Sequence, residues 1–204
     1  MRAPTTARGY ADLFARLPTS QWGAADLSIS VPLGGRSVWL YGDTFEAHRF
    51  VHSTAIVQTR GCLHVSHAGA QLLPNDDAHH IYWITSAQAV DASRLAVIAR
   101  STVLTGTCLF CFRDGGFDRT ALLSVSTTGD LSFVRWTAKH VRPAPNAGPM
   151  IHIDNQPHHF GYARHAHPEA RLASGRMLVT TCQNWDDGIL HQFADYRPIF
   201  AELQ

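Results

Sequence analysis

The segment formed by residues 22–45 constrains the fold more than any other part of the chain. It reads WGAADLSISVPLGGRSVWLYGDTF, in which two alternating runs, residues 27–33 and 37–44, flank the pair Gly34-Gly35. Alternation with a period of two is typical of strands, and glycine readily adopts the positive φ that a tight turn needs. The segment therefore predicts an antiparallel hairpin.

A carboxylate stands at each end of this hairpin. Asp26 precedes the first run, and Asp43 follows Gly42 near the end of the second. Two interpretations remain open: the carboxylates are hydrogen-bonded in a cleft, or they only cap turns, as aspartate commonly does.

Most of the remaining chain consists of short alternating runs separated by Gly, Pro, Asn and Asp. This pattern predicts an all-β fold, as a sandwich, a barrel or a propeller, and a propeller of this length has room for about three to five blades. One helix is predicted at residues 11–17, and a Pro-rich connection at residues 141–150. We predict a lead-in segment at residues 1–20 and a single domain at residues 21–204. The predicted strands after the hairpin are residues 50–59, 62–66, 80–90, 94–104, 108–113, 120–127, 131–137, 158–164, 176–183, 188–193 and 199–203.

Charge and hydropathy exclude some classes of partner. The net charge of the 204 residues is +1, which gives no electrostatic basis for binding nucleic acid. The first residues lack the apolar core of a signal peptide, and no run is long enough to span a bilayer. We therefore expect no membrane insertion, and a location in the cytoplasm or in a virion.

The four cysteines are Cys62, Cys108, Cys111 and Cys182. Two of them form a single C-x-x-C in the apolar sequence CLFC, whereas a zinc knuckle needs a second such pair and a redox motif needs a strand-to-helix setting. We predict four reduced cysteines without a metal.

The hairpin sequence resembles the first blade of a bacterial and phage family of five-bladed β-propellers, catalogued as a domain of unknown function and related in fold to glycoside hydrolases. The shared pattern is W..AD.S..VPL.G...WLYGDT. Residues 50–57, residues 165–184 with their His-Pro-Glu, and residues 196–203 resemble later parts of the same family. The resemblance implies a β-propeller, reduced in size here, whose first and last strands lie in one blade and so close the ring.

The related hydrolases carry three acids in a central funnel. The resemblance matches the first to Asp26 and the last to Glu169, while Ser86 occupies the position of the middle acid and the nearest carboxylate, Asp91, follows in the next turn. A glycosidase needs two carboxyl groups that flank the scissile bond. Asp26 and Glu169 are thus the catalytic pair if the chain is hydrolytic, and the missing third acid favours binding without catalysis.

Residues for binding a sugar are also present. Carboxylates accept hydrogen bonds from hydroxyl groups and indole rings pack against sugar faces, so Asp43, Trp83 and Trp185 are candidate ligand-binding residues together with His52 and Ser86. Trp39 is a further candidate platform, with core packing as the alternative.

Histidines are frequent near the carboxyl-terminal end. His165 and His167 lie two apart on an extended segment and so share a face, where they either ligate a metal together with Glu169 or Asp154, or donate hydrogen bonds that orient Glu169. We predict the second case, with both histidines in the ligand-binding set, no metal and no cofactor.

These observations predict a glycan-recognising propeller module without catalytic activity. Its partner would be a carbohydrate or a cell-envelope glycan, and the resemblance suggests a phage tail or capsid-surface protein that contacts other virion proteins. The alternatives are a glycoside hydrolase that uses Asp26 and Glu169, and a purely structural virion protein.

Overall fold

The computed structural model describes residues 2–46, 49–106, 111–141, 159–185 and 196–203. Strands form most of this part of the chain, which confirms the all-β prediction. The elements are α1 (Ala7–Phe14), β1 (Ala24–Ala25), β2 (Ile29–Leu33), β3 (Arg36–Tyr41), β4 (Thr44–Glu46), β5 (Arg49–Val51), β6 (Thr54–Thr59), β7 (Cys62–Val65), a short 3₁₀ turn (Ser66–Gly69), β8 (His80–Ala89), β9 (Arg94–Leu104), β10 (Phe112–Val125), β11 (Leu131–Val141), β12 (His159–Arg171), β13 (Met177–Trp185) and β14 (Ile199–Leu203).

The predicted opening hairpin is present. Strands β2 and β3 pair antiparallel, with Leu33 opposite Arg36, so that only two residues connect them. These are Gly34 and Gly35, with φ of 57° and 78°. Positive φ at both central positions is the geometry of the turn that matches the twist of paired strands.

The described strands form four antiparallel sheets, none of them closed. The central sheet has the order β2-β3-β6-β7 and the long sheet the order β11-β10-β9-β8. The terminal sheet has the order β12-β13-β14, and the small sheet β1-β4-β5. Consecutive strands are neighbours almost throughout, because short turns join antiparallel strands directly.

The central sheet is buried on both faces. Val38 and Leu40 pack in a cluster with residues of the long sheet, while Trp39 and Tyr41 belong to a second cluster that includes α1 and the terminal sheet. Side chains alternate between the two faces of a strand, so a strand buried on both sides has a continuous apolar sequence, as β3 does.

The helix begins earlier than the sequence predicts, at Ala7 instead of residue 11. Thr6 caps its amino terminus, since the Thr6 side chain accepts a hydrogen bond of 3.0 Å from the Gly9 amide. Tyr10 and Phe14 are buried and belong to the second core cluster. The helix is thus part of the folded core.

The prediction that the first and last strands share a sheet is wrong. β14 pairs with β13 in the terminal sheet, whereas β2 lies in the central sheet. Contact between the two ends is made instead by the Ala7 amide, which donates to Glu202 Oε1 at 3.3 Å.

Two predicted strands, residues 108–113 and 120–127, merge into the single strand β10 from residue 112 onwards, with an irregular register between Asp114 and Asp118. The predicted strand at residues 188–193, and residues 142–150 of the predicted loop, lie outside the described residues.

The cysteine prediction is wrong for Cys111, which is disulfide-bonded. Cys62 and Cys182 are free, and Cys108 lies outside the described residues. The apolar setting of CLFC lacks the charges that stabilise a thiolate, but it does not prevent Cys111 from forming a disulfide. Within the described part of the chain, no helix has both the length and the apolar content needed to cross a membrane.

Candidate functional site

The Asp43 carboxylate is the centre of the best-defined polar cluster at the surface. It lies between the ends of β3 and β4, where its Oδ1 accepts hydrogen bonds of 2.7 Å from Trp83 Nε1 and 2.8 Å from His52 Nδ1. Trp83 comes from β8 in the long sheet, and His52 follows β5. The structure thus brings together three residues that the sequence predicts as ligand-binding.

Aromatic rings flank this cluster on two sides. Phe112 meets the Trp83 ring edge-on at 4.8 Å, and Phe50 meets the His52 ring edge-on at 5.0 Å. Phe50 and Phe112 retain 41% and 40% of their exposure, unusually much for phenylalanine. Each of the two ring partners of Asp43 is therefore in contact with an exposed aromatic side chain.

The two polar side chains each keep one atom free. No described residue hydrogen-bonds to Oδ2 of Asp43 or to Nε2 of His52, and neither atom is among the buried polar atoms that lack a partner. Each atom therefore keeps some accessible surface, although the His52 and Asp43 side chains as a whole are only 13% and 14% exposed. Because a carboxylate only accepts, His52 donates through Nδ1 and its neutral form presents Nε2 as a second acceptor.

Asp26 lies beside this cluster but points into the interior. Its amide donates to the Asp43 carbonyl at 3.1 Å, and its Oδ2 accepts a hydrogen bond of 2.7 Å from the Tyr196 hydroxyl. Burial, and then the Asp26 carboxylate, raise the pKa of the Cys182 thiol to about 12. Only 8% of Asp26 is exposed.

Glycine at position 42 allows this close approach of the two acids. A Cβ on Gly42 would lie 2.5 Å from Asp26 Oδ1 and 2.6 Å from Leu27 Cδ1, too close for any side chain. Glycine therefore precedes Asp43 in the sequence because the backbone at position 42 packs against the Asp26 side chain.

Glu169 belongs to a different network, between the terminal and central sheets. Its Oε1 accepts from the Ser30 hydroxyl, and the same Ser30 oxygen lies 2.5 Å from His167 Nδ1. The other ring nitrogen of His167 lies 2.8 Å from Thr180 Oγ1. No hydrogen bond between Asp26 and Glu169, the predicted catalytic pair, is present among the described residues.

The paired histidines lie in the interior. His167 is fully buried and its ring packs 4.7 Å from the Trp39 ring, while His165 is partly buried. Burial, and then nearby His165, lower the pKa of His167 to about 3, and burial also lowers the pKa of His165. Both therefore favour the neutral form. Among the described residues, no three His, Cys, Asp or Glu side chains are grouped as metal ligands, and Asp154 lies outside those residues.

Ser86 and Trp185 are more peripheral. Ser86 is exposed on β8, where Tyr82 and Ile84 face the core, and no described residue hydrogen-bonds to its side chain. Trp185 is the last residue of β13, opposite His159, and its side chain lies outside the described part of the chain. Trp39 is fully buried and donates from Nε1 to Gln58 at 3.0 Å, as the core interpretation requires.

Neither a scan against protein-family models nor a search of curated proteins finds a match for this chain.

Sequence reasoning missed Phe50, Phe112 and Ser30. Phenylalanine within an alternating run is ordinarily a core residue, so the residue type alone did not predict that these two side chains are exposed. Ser30 lies opposite Trp39 on the face of β2 that meets the terminal sheet, and such a pairing between sheets is not visible in a single sequence.

Proposed function

We propose that the chain is a non-catalytic glycan-recognising module that binds its ligand at Asp43. The observation that carries the proposal is the Asp43 carboxylate held by Trp83 and His52, whose rings each contact an exposed phenylalanine. Sugar hydroxyls donate hydrogen bonds to such an oxygen, while the C–H faces of the sugar ring pack against aromatic side chains. His52 Nε2 supplies an acceptor for a second hydroxyl.

The burial of Asp26 supports binding without hydrolysis. Glycoside hydrolysis needs one carboxyl group as acid and one as base or nucleophile, both in contact with the same glycosidic bond. Here only 8% of Asp26 is exposed and its Oδ2 accepts from Tyr196, which leaves a glycosidic bond little access to this carboxyl group.

The proposal extends to the architecture and the setting. Sheets of consecutive antiparallel strands are the building unit of propellers, and the long and terminal sheets have this order, so we regard the sheets as blades of a reduced ring. The resemblance of residues 22–45 to a family found in actinobacteria and their phages supports a virion protein that contacts a host-envelope glycan. This setting rests on analogy of sequence.

The test is a glycan array on the purified protein, followed by titration of Asp43→Asn with the best ligand. Asparagine keeps the shape and one acceptor oxygen but removes the charge. We expect the affinity to fall about 10- to 100-fold, the range for loss of a charge-assisted hydrogen bond, with little change in melting temperature.

Asp12→Asn is the matched control, since it removes the same charge from an exposed position on α1. Equal affinity of Asp43→Asn and wild type would overturn the proposed site. Release of reducing ends from the ligand by wild type, abolished in Glu169→Gln, would instead establish the hydrolase.

A further inference from the structure

A second surface feature lies on the hairpin that joins β12 to β13, away from Asp43. It is a cavity of about 300 Å³, near the lower limit of the range for small-molecule sites. Its apolar part is formed by Pro168, Ala170, Leu172 and Met177, and its polar part by Arg171 and Arg176.

The two arginines have no acid partner within the described residues. The described arginine ion pairs involve Arg49, Arg94, Arg100 and Arg119 only. Arg176 does interact with the charge of Glu202: hydrogen bonds from Ser174 and Ala7 lower the pKa of Glu202, and the charge of Arg176 lowers it further. However, Glu202 accepts hydrogen bonds from Ser174 Oγ at 2.7 Å and from the Ala7 amide at 3.3 Å. Two guanidinium groups are therefore available to an external anion.

The hairpin that carries these arginines is anchored at several points. The Ala173 amide donates to the Thr5 carbonyl at 2.8 Å, and the Gly175 amide closes the turn onto the Leu172 carbonyl at 3.1 Å. Leu172 is buried in the second core cluster. An anchored backbone reduces the conformational entropy that a ligand must overcome to order the site.

We propose that this cavity binds a small organic anion with an apolar body. Guanidinium groups match carboxylate and phosphate oxygens in charge and in geometry. Apolar side chains beside them favour an acid with a hydrocarbon part over an inorganic ion, because burial of that part removes apolar surface from water. The volume limits the ligand to the size of a short-chain acid. Both a carboxylic acid and a phosphate monoester combine an anionic group with an apolar body in this way.

Calorimetric titration of the full chain with octanoate, octyl phosphate and 1-octanol tests the proposal. We expect one of the two anions to bind and 1-octanol, which has the same body without the charge, to bind at least about tenfold more weakly. The preferred headgroup identifies the source of the ligand as a carboxylic acid or a phosphate ester. Acetate, which has the charge without the body, should also bind more weakly than octanoate.

The double variant Arg171→Gln/Arg176→Gln should lower the affinity for the preferred anion about 10- to 100-fold. The control Arg113→Gln/Arg135→Gln removes two exposed arginines of the long sheet, with the same change in net charge, and should bind as wild type does. Equal binding of octanol and octanoate, equal weakening by both double variants, or no binding of either anion by wild type would each overturn the proposal.

Discussion

At the scale of single residues, a chain of hydrogen bonds links polar groups between the central and terminal sheets. The Ser30 hydroxyl donates to Glu169, so the Ser30 oxygen accepts from His167 Nδ1. This order needs a neutral His167, in agreement with the lowered pKa, and leaves Nε2 as an acceptor 2.8 Å from Thr180 Oγ1. The Thr180 hydroxyl also lies 3.3 Å from the Ser28 carbonyl, so its single proton serves one of these two acceptors. Glu169 is thus held through Oε1, while its Oε2 is buried without a hydrogen bond from the described part of the chain.

His167 makes the stability depend on pH. Its pKa is about 6.5 in the unfolded chain and about 3 in the folded chain, so between these values the unfolded chain binds the extra proton. The free energy of unfolding should therefore fall as the pH falls, by about 2 kcal/mol between pH 7 and pH 5 from this residue alone.

Urea unfolding of His167→Gln at these two pH values checks this expectation. We expect the variant to be less stable than wild type at pH 7 but to lose less of its stability on acidification. His140→Gln, at an exposed position, should keep the wild-type dependence. An unchanged pH dependence in His167→Gln would show that another group titrates.

At the scale of elements, the turn Ser66–Gly69 is held in an unfavourable conformation. His67 and Ala68 have φ of 48° and 51°, in the left-handed region that L-residues rarely occupy. Asp130, in the turn before β11, accepts hydrogen bonds from the His67 amide at 3.1 Å and from His64 Nε2 at 2.9 Å. The long sheet thus fixes the shape of a turn at the end of the central sheet.

Ala68→Gly should stabilise the protein, by up to about 1 kcal/mol, because glycine occupies the left-handed region without steric cost. The control is Ala78→Gly, at an exposed position without positive φ, which should lower stability instead. Chemical denaturation of both variants measures the difference. Equal losses of stability would mean that the turn is not strained at Ala68.

At the scale of the whole molecule, an aromatic cluster joins α1 to two of the sheets. The Phe14 ring lies 5.0 Å from Trp39 of the central sheet, 5.2 Å from Phe200 of the terminal sheet and 6.1 Å from Trp22. Only 3% of Phe14 is exposed. The helix therefore fills a space that the two sheets cannot fill between themselves.

Phe14→Ala should lower the free energy of unfolding by about 3–5 kcal/mol, through lost burial and the cavity that remains. Phe112→Ala removes the same side chain from an exposed position and should cost about 1 kcal/mol or less. Urea titrations of the two variants at pH 7 make the comparison. Similar costs would contradict the role of α1 as part of the core.

The sequence predicts local strands well and their distant partners poorly. The bounds of β9 and β14 agree with the predicted runs, because alternation and glycine turns are local signals. The position of β14 beside β13 depends on which of several sheet edges pairs best with β14, and a single sequence does not show this choice. In the same way, residue type alone predicted Asp43, His52 and Trp83 as ligand-binding residues, and the structure brings these three together, whereas the exposure of Phe50 and Phe112 depends on how the sheets meet.

The contacts between the two ends of the chain have a mechanical consequence. The Thr5 carbonyl and the Ala7 amide bond to the terminal sheet, and the Tyr10 ring stacks on Phe200 at 6.0 Å. If one end is attached to a support and the other is pulled, the force passes first through these contacts and through the packing of α1 on Trp39 of the central sheet. The helix would then detach first, and the tension would reach the β-strands only after these contacts had broken.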